Sequence, residues 1–415
     1  MLSLRSFRFA AAALLFASSA STVAAADPAA AKAERRGGES VLSYTARSQG
    51  SADNLTAQQQ VDFLIAKDPK LSAVLTKHRD AIIAADERRL HVGYVTSVLT
   101  NNPGKFEAID TCPPELVSLF GPDSSDFRSL KSVDLGSATL NVKQKRETDP
   151  FNGVFYEHLG EIPELESITI IHTNCENAWL KPLGKLKNLK TLNIVNQGKL
   201  TDEGLAHLSG LNSLTRFAYI GTQLKGHPFK DFKGWTKLTS SSFRGSKLDD
   251  EGIRAMCAAF PNYETLSLAH AHFTDAGAVH LASLKKLKGL EIASREATAK
   301  CLNNITALPL EYLQLGDGLD NSEGIAISAT IPTLKKFVIT GAQKIADADL
   351  KVVAGMKQLD HLELSEFEIT EEKLAALKEF AFLKSMRIVR RSKPNTPELQ
   401  AKVTELLPQT KVTFE

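Results

Sequence analysis

A pattern of apolar-x-x-apolar-x-apolar returns about every 24 residues, and a chain built on such a beat has few folds open to it. The copies read Leu165-Ile168-Ile170, Leu189-Leu192-Ile194, Leu214-Phe217-Tyr219, Leu238-Ser241-Phe243 and Tyr263-Leu266-Leu268. They continue as Leu287-Leu290-Ile292, Leu310-Leu313-Leu315, Leu334-Phe337-Ile339, Leu359-Leu362-Leu364 and Leu383-Met386-Ile388. From Leu165 to Leu383 there are nine steps over 218 residues. Alternation at the end of each copy predicts a short strand, because strand side chains change face at every residue. Leu130-Val133-Leu135 reads as an earlier copy before a longer insertion, and Thr410-Lys-Val-Thr-Phe414 as a closing strand. The fourth copy is weak, with Ser241 where a core aliphatic belongs. Between strands, "LTDEGLAHL", "LDDEGIRAM", "FTDAGAVHL" and "ITEEKLAAL" set a Thr or Asp before an apolar i, i+3 series. A short oxygen side chain there accepts the orphan amides of a first helical turn, and the acids after it suit the positive helix end. Each unit is strand, turn, helix and return, too small to bury its apolar face alone.

Held in register over residues 126–415, these units resemble the leucine-rich repeat family. The flavour is the bacterial unit LxxLxLxxTxLTDxGLxxLxxL, related to the cysteine-containing subclass, with Thr222 at its Thr position. The resemblance implies an α/β solenoid: a horseshoe with a concave parallel β-sheet, convex helices and a helical N-terminal cap. At roughly 4.8 Å per strand, about eleven strands give a surface on the order of 50 Å long. The asparagine ladder common in the family is missing. Gln197, Thr222, Ser246, Ala271 and Arg295 stand at the equivalent positions.

The N-terminus reads differently. Arg5 and Arg8 precede the apolar run from Phe9 to Phe16, and Ala24-Ala25-Ala26 offers a small-residue cleavage site. That is the form of a secretory signal peptide over 1–26, cut near Ala26, and the run is too short for a transmembrane helix. Residues 27–54 are expected as a flexible linker, 55–125 as the helical cap, and 126–415 as the solenoid with a C-terminal cap from about 395. The expected residence is the periplasm or the extracellular space. Without Arg5 and Arg8 the chain carries 48 basic and 48 acidic residues, so it lacks the basic excess of a nucleic-acid binder. Lys181, Lys185, Lys187 and Lys190 read as a solvated face. Cys112, Cys175, Cys257 and Cys301 are too dispersed for a zinc framework. A Cys112–Cys175 disulfide is conceivable in an oxidising compartment, with Cys257 and Cys301 as buried thiols.

Candidates for chemistry are sparse. His270 and His272 in "AHAHF", with His280, lack a third ligand type and read as loop histidines. "GDGLDNSEG" carries Asp317, Asp320, Asn321 and Glu323 but not the spacing of an EF-hand. No G-x-S-x-G elbow, P-loop or H-E-x-x-H occurs. "CPPELVSLF" is similar to an F-box start over a few residues only and reads as a short capping helix. No cofactor is implied and no enzyme is expected; the least favoured reading places a hydrolase or metal-dependent activity in the helical cap around His78 and His91. In the strand pattern, the residues flanking the central apolar one face the concave side. The partner-binding candidates are Arg216, Ser242, Ser267, Glu291, Tyr312, His361 and Arg387 from these rows, with Arg244 at the next outward position of its strand. The expectation is an exported, non-catalytic protein that binds a protein or an envelope polysaccharide on this face. The alternative is a structural scaffold of the envelope acting through self-association.

Overall fold

The computed structural model describes residues 39–102, 104–120, 125–135, 150–171 and 174–415. The expected signal peptide and the first part of the expected linker lie outside them. A 13-stranded sheet carries the chain in strictly sequential order. Its strands are β1 (Lys105–Asp110), β2 (Arg128–Asp134), β3 (Ser167–Ile171), β4 (Thr191–Val195), β5 (Arg216–Ile220), β6 (Ser240–Ser242) and β7 (Thr265–Ala271). After them come β8 (Gly289–Ser294), β9 (Tyr312–Gly316), β10 (Lys336–Ile339), β11 (His361–Ser365), β12 (Ser385–Val389) and β13 (Lys411–Phe414). All neighbours from β2 to β13 pair in parallel, and only β1 is antiparallel. This is a leucine-rich repeat solenoid. Repeat residues stack on like residues: Leu192 on Phe217, Leu290 on Leu313, Phe337 on Leu362. The paired aliphatics of every copy are buried in one core that runs from Val92 to Leu407.

After the second apolar residue of the strand, the chain turns through a left-handed residue two positions on. Asn196, Gly221, Gly245, His270, Asp317 and Glu366 all have φ between 51° and 66°. Glycine adopts this conformation without penalty, and Asn and Asp tolerate it. His270 and Glu366 are held there by partners: His270 Nδ1 on Asp317, and Glu366 on the Ser392 hydroxyl at 2.6 Å and the Arg391 amide at 3.2 Å. The next position points into the core as Gln197, Thr222, Ser246 and Ala271. At β8 the sequence alignment fails by one residue. No left-handed residue occurs there, Ser294 takes the buried place and donates to Phe273 O at 2.6 Å, and Arg295 is exposed. A one-residue offset in a turn is invisible to a periodicity read from strands.

Thr201, Asp249 and Thr274 cap their helices as the sequence predicts, whereas Thr370 makes no cap bond. Its hydroxyl bonds Glu372 instead, which lowers that carboxyl's pKa. The acids after the caps have a second role that dipole reasoning misses. Asp202 accepts from the amides of Lys225, Gly226 and His227 in the next repeat, at 2.7, 3.0 and 3.2 Å. Asp250 binds the Thr274 amide and hydroxyl at 2.7 and 2.8 Å, and Asp275 does the same to Thr298 at 2.7 and 2.6 Å. Each acid therefore clasps the turn that opens the following helix.

The weak fourth copy also has a cause. Tyr263 replaces the strand-opening leucine and is fully buried, so its hydroxyl needs a partner inside the core. It donates to Ser241 Oγ at 2.9 Å. The two deviations from the pattern are one hydrogen bond.

The N-terminal region differs from the expected linker and purely helical cap. Val41–Ser48 (α1) is helical, with Ser40 as its N-cap, and buries Val41, Leu42 and Ala46, so residues 41–48 are not linker. Helices α2 (Ala57–Lys67), α3 (Pro69–Lys77), α4 (Arg79–Asn101) and α5 (Pro114–Phe120) follow, with β1 added between the last two. Helix α4 spans two cores. Ile82 and Ala85 join a small cluster with Val61, Leu64, Leu75 and Phe127, while Val92, Val95 and Leu99 join the solenoid core. Between them Arg88 is buried. It reaches Glu164 Oε1 at 2.6 Å and Thr111 Oγ1 at 2.8 Å, and Ser129 Oγ holds the other Glu164 oxygen at 2.6 Å. No disulfide joins Cys112 to Cys175. Burial pushes the Cys257 and Cys301 thiols up to about 12, which leaves them unreactive at neutral pH.

Ser241→Ala should cost about 1–3 kcal/mol, because the Tyr263 hydroxyl is then buried without an acceptor. Adding Tyr263→Phe should recover most of that loss. Urea unfolding of the two single variants and the double variant measures the coupling, and additive losses would contradict the pairing.

Candidate functional site

The concave face is two rows of side chains set by strand register. From β4 to β9 the first row reads Thr191, Arg216, Ser240, Thr265, Gly289, Tyr312 and the second Asn193, Ala218, Ser242, Ser267, Glu291, Gln314. Side-chain size falls to a minimum in the middle of these rows. The result is a shallow cleft of about 390 Å³ with Asn193 and Arg216 at one wall and Glu291 and Tyr312 at the other. Its floor is hydroxyl-rich, and Thr265 Oγ1 donates to Ser240 Oγ at 2.7 Å. Gly289 keeps the cleft open, since even a Cβ there would come within 3.2 Å of Thr265 Cγ2.

Beneath this floor lies a stack of buried aromatic rings. Phe217 meets Trp235 at 4.8 Å, Phe229 meets Phe260 at 5.2 Å, and Trp235 donates from Nε1 to Leu208 O at 3.2 Å. The stretch "GHPFKDFKGW" supplies it, with a 3-10 helix at His227–Asp231 in place of an α-helix. Large rigid rings under small outward residues fix the cleft's shape in advance of any ligand.

At the far wall the charges are already satisfied. Glu291 accepts from Arg244 at 2.8 Å, from Gln314 at 2.6 Å and from Ser267. Tyr312 donates to Gln314 Oε1 at 2.8 Å. Burial first, then the carboxylates of Glu291 and Glu363, push the Tyr312 phenol up to about 12 against the opposing charge of Arg244. Tyr312 is thus a neutral donor at physiological pH. At the near wall, Arg216 is exposed and its guanidinium bonds no side chain among the described residues.

A second hollow of about 410 Å³ lies farther along, lined by Lys336, His361, Glu363, Ser385, Arg387 and Lys411 among others. His361 Nδ1 is 2.7 Å from Ser385 Oγ. Arg387 binds Glu363 at 3.0 Å and Glu415 at 2.5 Å, and those two carboxylates raise its pKa further.

The eight sequence candidates therefore fall into two groups. Arg216, Ser242, Ser267, Glu291 and Tyr312 line the first cleft, Arg244 joins it through Glu291, and His361 and Arg387 belong to the second hollow. Sequence reasoning ranked Arg244 and Arg387 with Arg216 by residue type, but Arg244 is bound to Glu291 two strands on, and Arg387 to carboxylates of the repeats on either side. It passed over Gln314, which clamps Glu291 and Tyr312 together, and Lys336 and Lys411. Strand register would have placed Glu291 beside Gln314, and Lys336 beside Tyr312.

The other candidates do not converge. His272 Nδ1 faces Glu296 at 2.7 Å, His270 faces Asp317, and His280 sits on a convex 3-10 turn. Asp320 accepts the Gly318 amide at 3.1 Å, and Asn321 caps the helix Ser322–Ser328. Among the described residues, no group of three or more His, Cys, Asp or Glu is placed to hold a metal, and no helix is long and apolar enough to cross a membrane. In the cap, His78 lies 3.4 Å from Glu115 at the start of α4. His91 is thirteen residues on, about 20 Å along the helix. It packs instead on His158 of helix α6 (Gly153–Gly160), Nδ1 to Nδ1 at 3.0 Å, while Tyr94 stacks on His158 at 4.2 Å.

No protein-family model and no curated protein matches this sequence. Solved structures similar to it in fold include the following two. One is an internalin (inlF) from Listeria monocytogenes, 16% identical over 62% of this chain and 78% of that one, with a TM-score of 0.36. The other is the Rad7 and Elc1 complex of yeast, 12% identical over 58% of this chain and 67% of that one, with a TM-score of 0.44. Neither bears on which residues of this chain bind a partner.

Two outcomes are expected here. Removing the negative charge in Glu291→Gln should lower the Tyr312 phenol pKa and Arg244→Ala should raise it, since negative neighbours favour the neutral phenol. Phenolate absorbance, taken as a difference against Tyr312→Phe in each background, reads both shifts. The second concerns the cap. Burial, then the charge of His91, lower the His158 pKa below its ordinary value of about 6.5, with Glu157 opposing. The unfolded chain then binds protons more readily, so this contribution to stability is full above about pH 6.5 and is lost as pH falls through the lowered pKa. Urea unfolding at about pH 7.5 and about pH 5 should show a smaller acid loss for His158→Gln than for the unaltered protein; equal losses would exclude this pair as the cause.

Proposed function

We propose that this chain is an exported, non-catalytic binding protein that holds a protein partner on its concave sheet, with the cleft between Arg216 and Tyr312 as the anchoring point. One observation carries the reading: among the described residues, Arg216 is the arginine of this face left without a carboxylate, and it stands at the mouth of a preformed cleft. Arginine in such a place presents a planar fork of donors to a carboxylate or a peptide carbonyl. The hydroxyls of Ser240, Ser242, Thr265 and Ser267 supply adaptable donors and acceptors behind it. Because the sheet is rigid, little conformational entropy is lost on binding. A polysaccharide is the weaker fit, since the described concave rows hold one aromatic platform, Tyr312. Export rests on Arg5, Arg8, the apolar run that follows and Ala24-Ala25-Ala26.

The test is capture from an envelope extract by the mature chain, beside Arg216→Glu, Ser242→Trp and a convex-face control, Lys351→Glu. Arg216→Glu and Ser242→Trp should each weaken retention of the partner about tenfold or more, with the control unaffected and all three folded by circular dichroism. Retention indifferent to both cleft changes would remove the concave site. Self-association that survives them would favour the scaffold reading instead.

A further inference from the structure

Building on that reading, we propose that the bound surface extends from the first cleft across the Tyr312 ridge into the second hollow, and that its occupant is an extended, acidic protein segment lying across strands β5 to β13. The carboxylates of this strip are neutralised from within. Glu291 is held by Arg244, Ser267 and Gln314, and Glu363 and Glu415 share Arg387. Three cations are left without a carboxylate among the described residues: Arg216 on β5, Lys336 on β10 and Lys411 on β13, all exposed. Lys336 Nζ lies over the Tyr312 ring, 5.3 Å from its centroid, so it stands on the ridge between the two hollows. Lys411 lines the far end of the second. A face that has cancelled its own acids and left a row of cations is complementary to a chain of spaced carboxylates.

The spacing narrows the class further. Arg216 to Lys336 is five strand steps and Lys336 to Lys411 is three, about 24 Å and about 14 Å at roughly 4.8 Å per step. An extended peptide advances about 3.3 Å per residue, so acids at its first, about eighth and about twelfth positions would meet the three cations in turn. A nucleic-acid backbone sets its charges far more densely than this row, and the balanced charge of the chain gives no general attraction for it. The open, shallow form of both hollows suits a chain lying across the strands more than a folded knob.

The probe is a fluorescein-labelled peptide of about a dozen Gly, Ser and Ala residues with glutamates at those three positions, read by fluorescence anisotropy. Its comparisons are a peptide of the same composition with the glutamates adjacent, and an oligogalacturonate of similar length. The spaced peptide should bind the mature chain more tightly than either and lose affinity as ionic strength rises. Arg216→Glu and the double variant Lys336→Glu/Lys411→Glu should each weaken it about tenfold or more. Failure of the spaced peptide to bind, equal affinity for the clustered peptide, or indifference to the double variant would overturn the proposal. Preference for the oligogalacturonate would overturn it in favour of an anionic polysaccharide. Partner capture separates this from the cleft reading. Loss in Arg216→Glu with full retention in the double variant leaves the first cleft standing and removes the extended strip. Indifference to Arg216→Glu removes the cleft reading itself.

Discussion

Each repeat of this protein completes its hydrogen bonding only on the next one, and the rest of the structure depends on that debt being met at a constant interval. Strand amides find carbonyls one repeat away, as when Lys190 and Thr191 both donate to Glu166 O, and Thr215 and Arg216 to Lys190 O. On the other flank, Asp202, Asp250 and Asp275 accept the amides that open the next helix. A buried backbone group without a partner is costly enough that the interval cannot drift without local repair. Register is therefore fixed from both sides of the strand, which is why like residues stack and a 24-residue beat becomes a continuous row of side chains.

That regularity makes the concave surface a function of side-chain volume alone. The backbone presents equivalent positions at every strand, so a run of Ala218, Ser240, Ser242, Thr265, Ser267 and Gly289 produces a cleft and Tyr312 ends it. The rings under the floor perform the complementary task. Trp235, Phe229 and Phe260 fill a layer whose helix is only a 3-10 turn, so the sheet does not sag where its outer side chains are smallest. Firmness of the floor and openness of the cleft come from the same few repeats.

Much of this fold is written in the period and rather little of the site is. Alternating apolar residues fix which side chains enter the core, and the caps at Thr201, Asp249 and Thr274 follow from one-residue chemistry. What the period conceals is anything that depends on two repeats at once. Ser241 looks like a defect until Tyr263, 22 residues later, is set opposite it. Arg244 looks like an anchor until Glu291 is placed two strands on, and Arg387 until Glu363 and Glu415 are placed on either side of it. The shift at Ser294 is hidden because turns carry no period, and helix α1 because eight residues with one Ser cap hardly differ from linker composition.

The contrast among the three arginines carries the functional argument one step further. A guanidinium bonded to two carboxylates, like that of Arg387, would have to give up those partners before gripping a new one, and the bonds lost offset the bonds gained. Arg216 has no such partners to lose among the described residues, and exchanges only water. Two residues of one type on one face therefore differ in binding capacity because of their neighbours, not their own chemistry. Arg244 and Arg387 shape the surface by cancelling its acids, and that cancellation is what leaves Arg216 as the open charge of the first cleft.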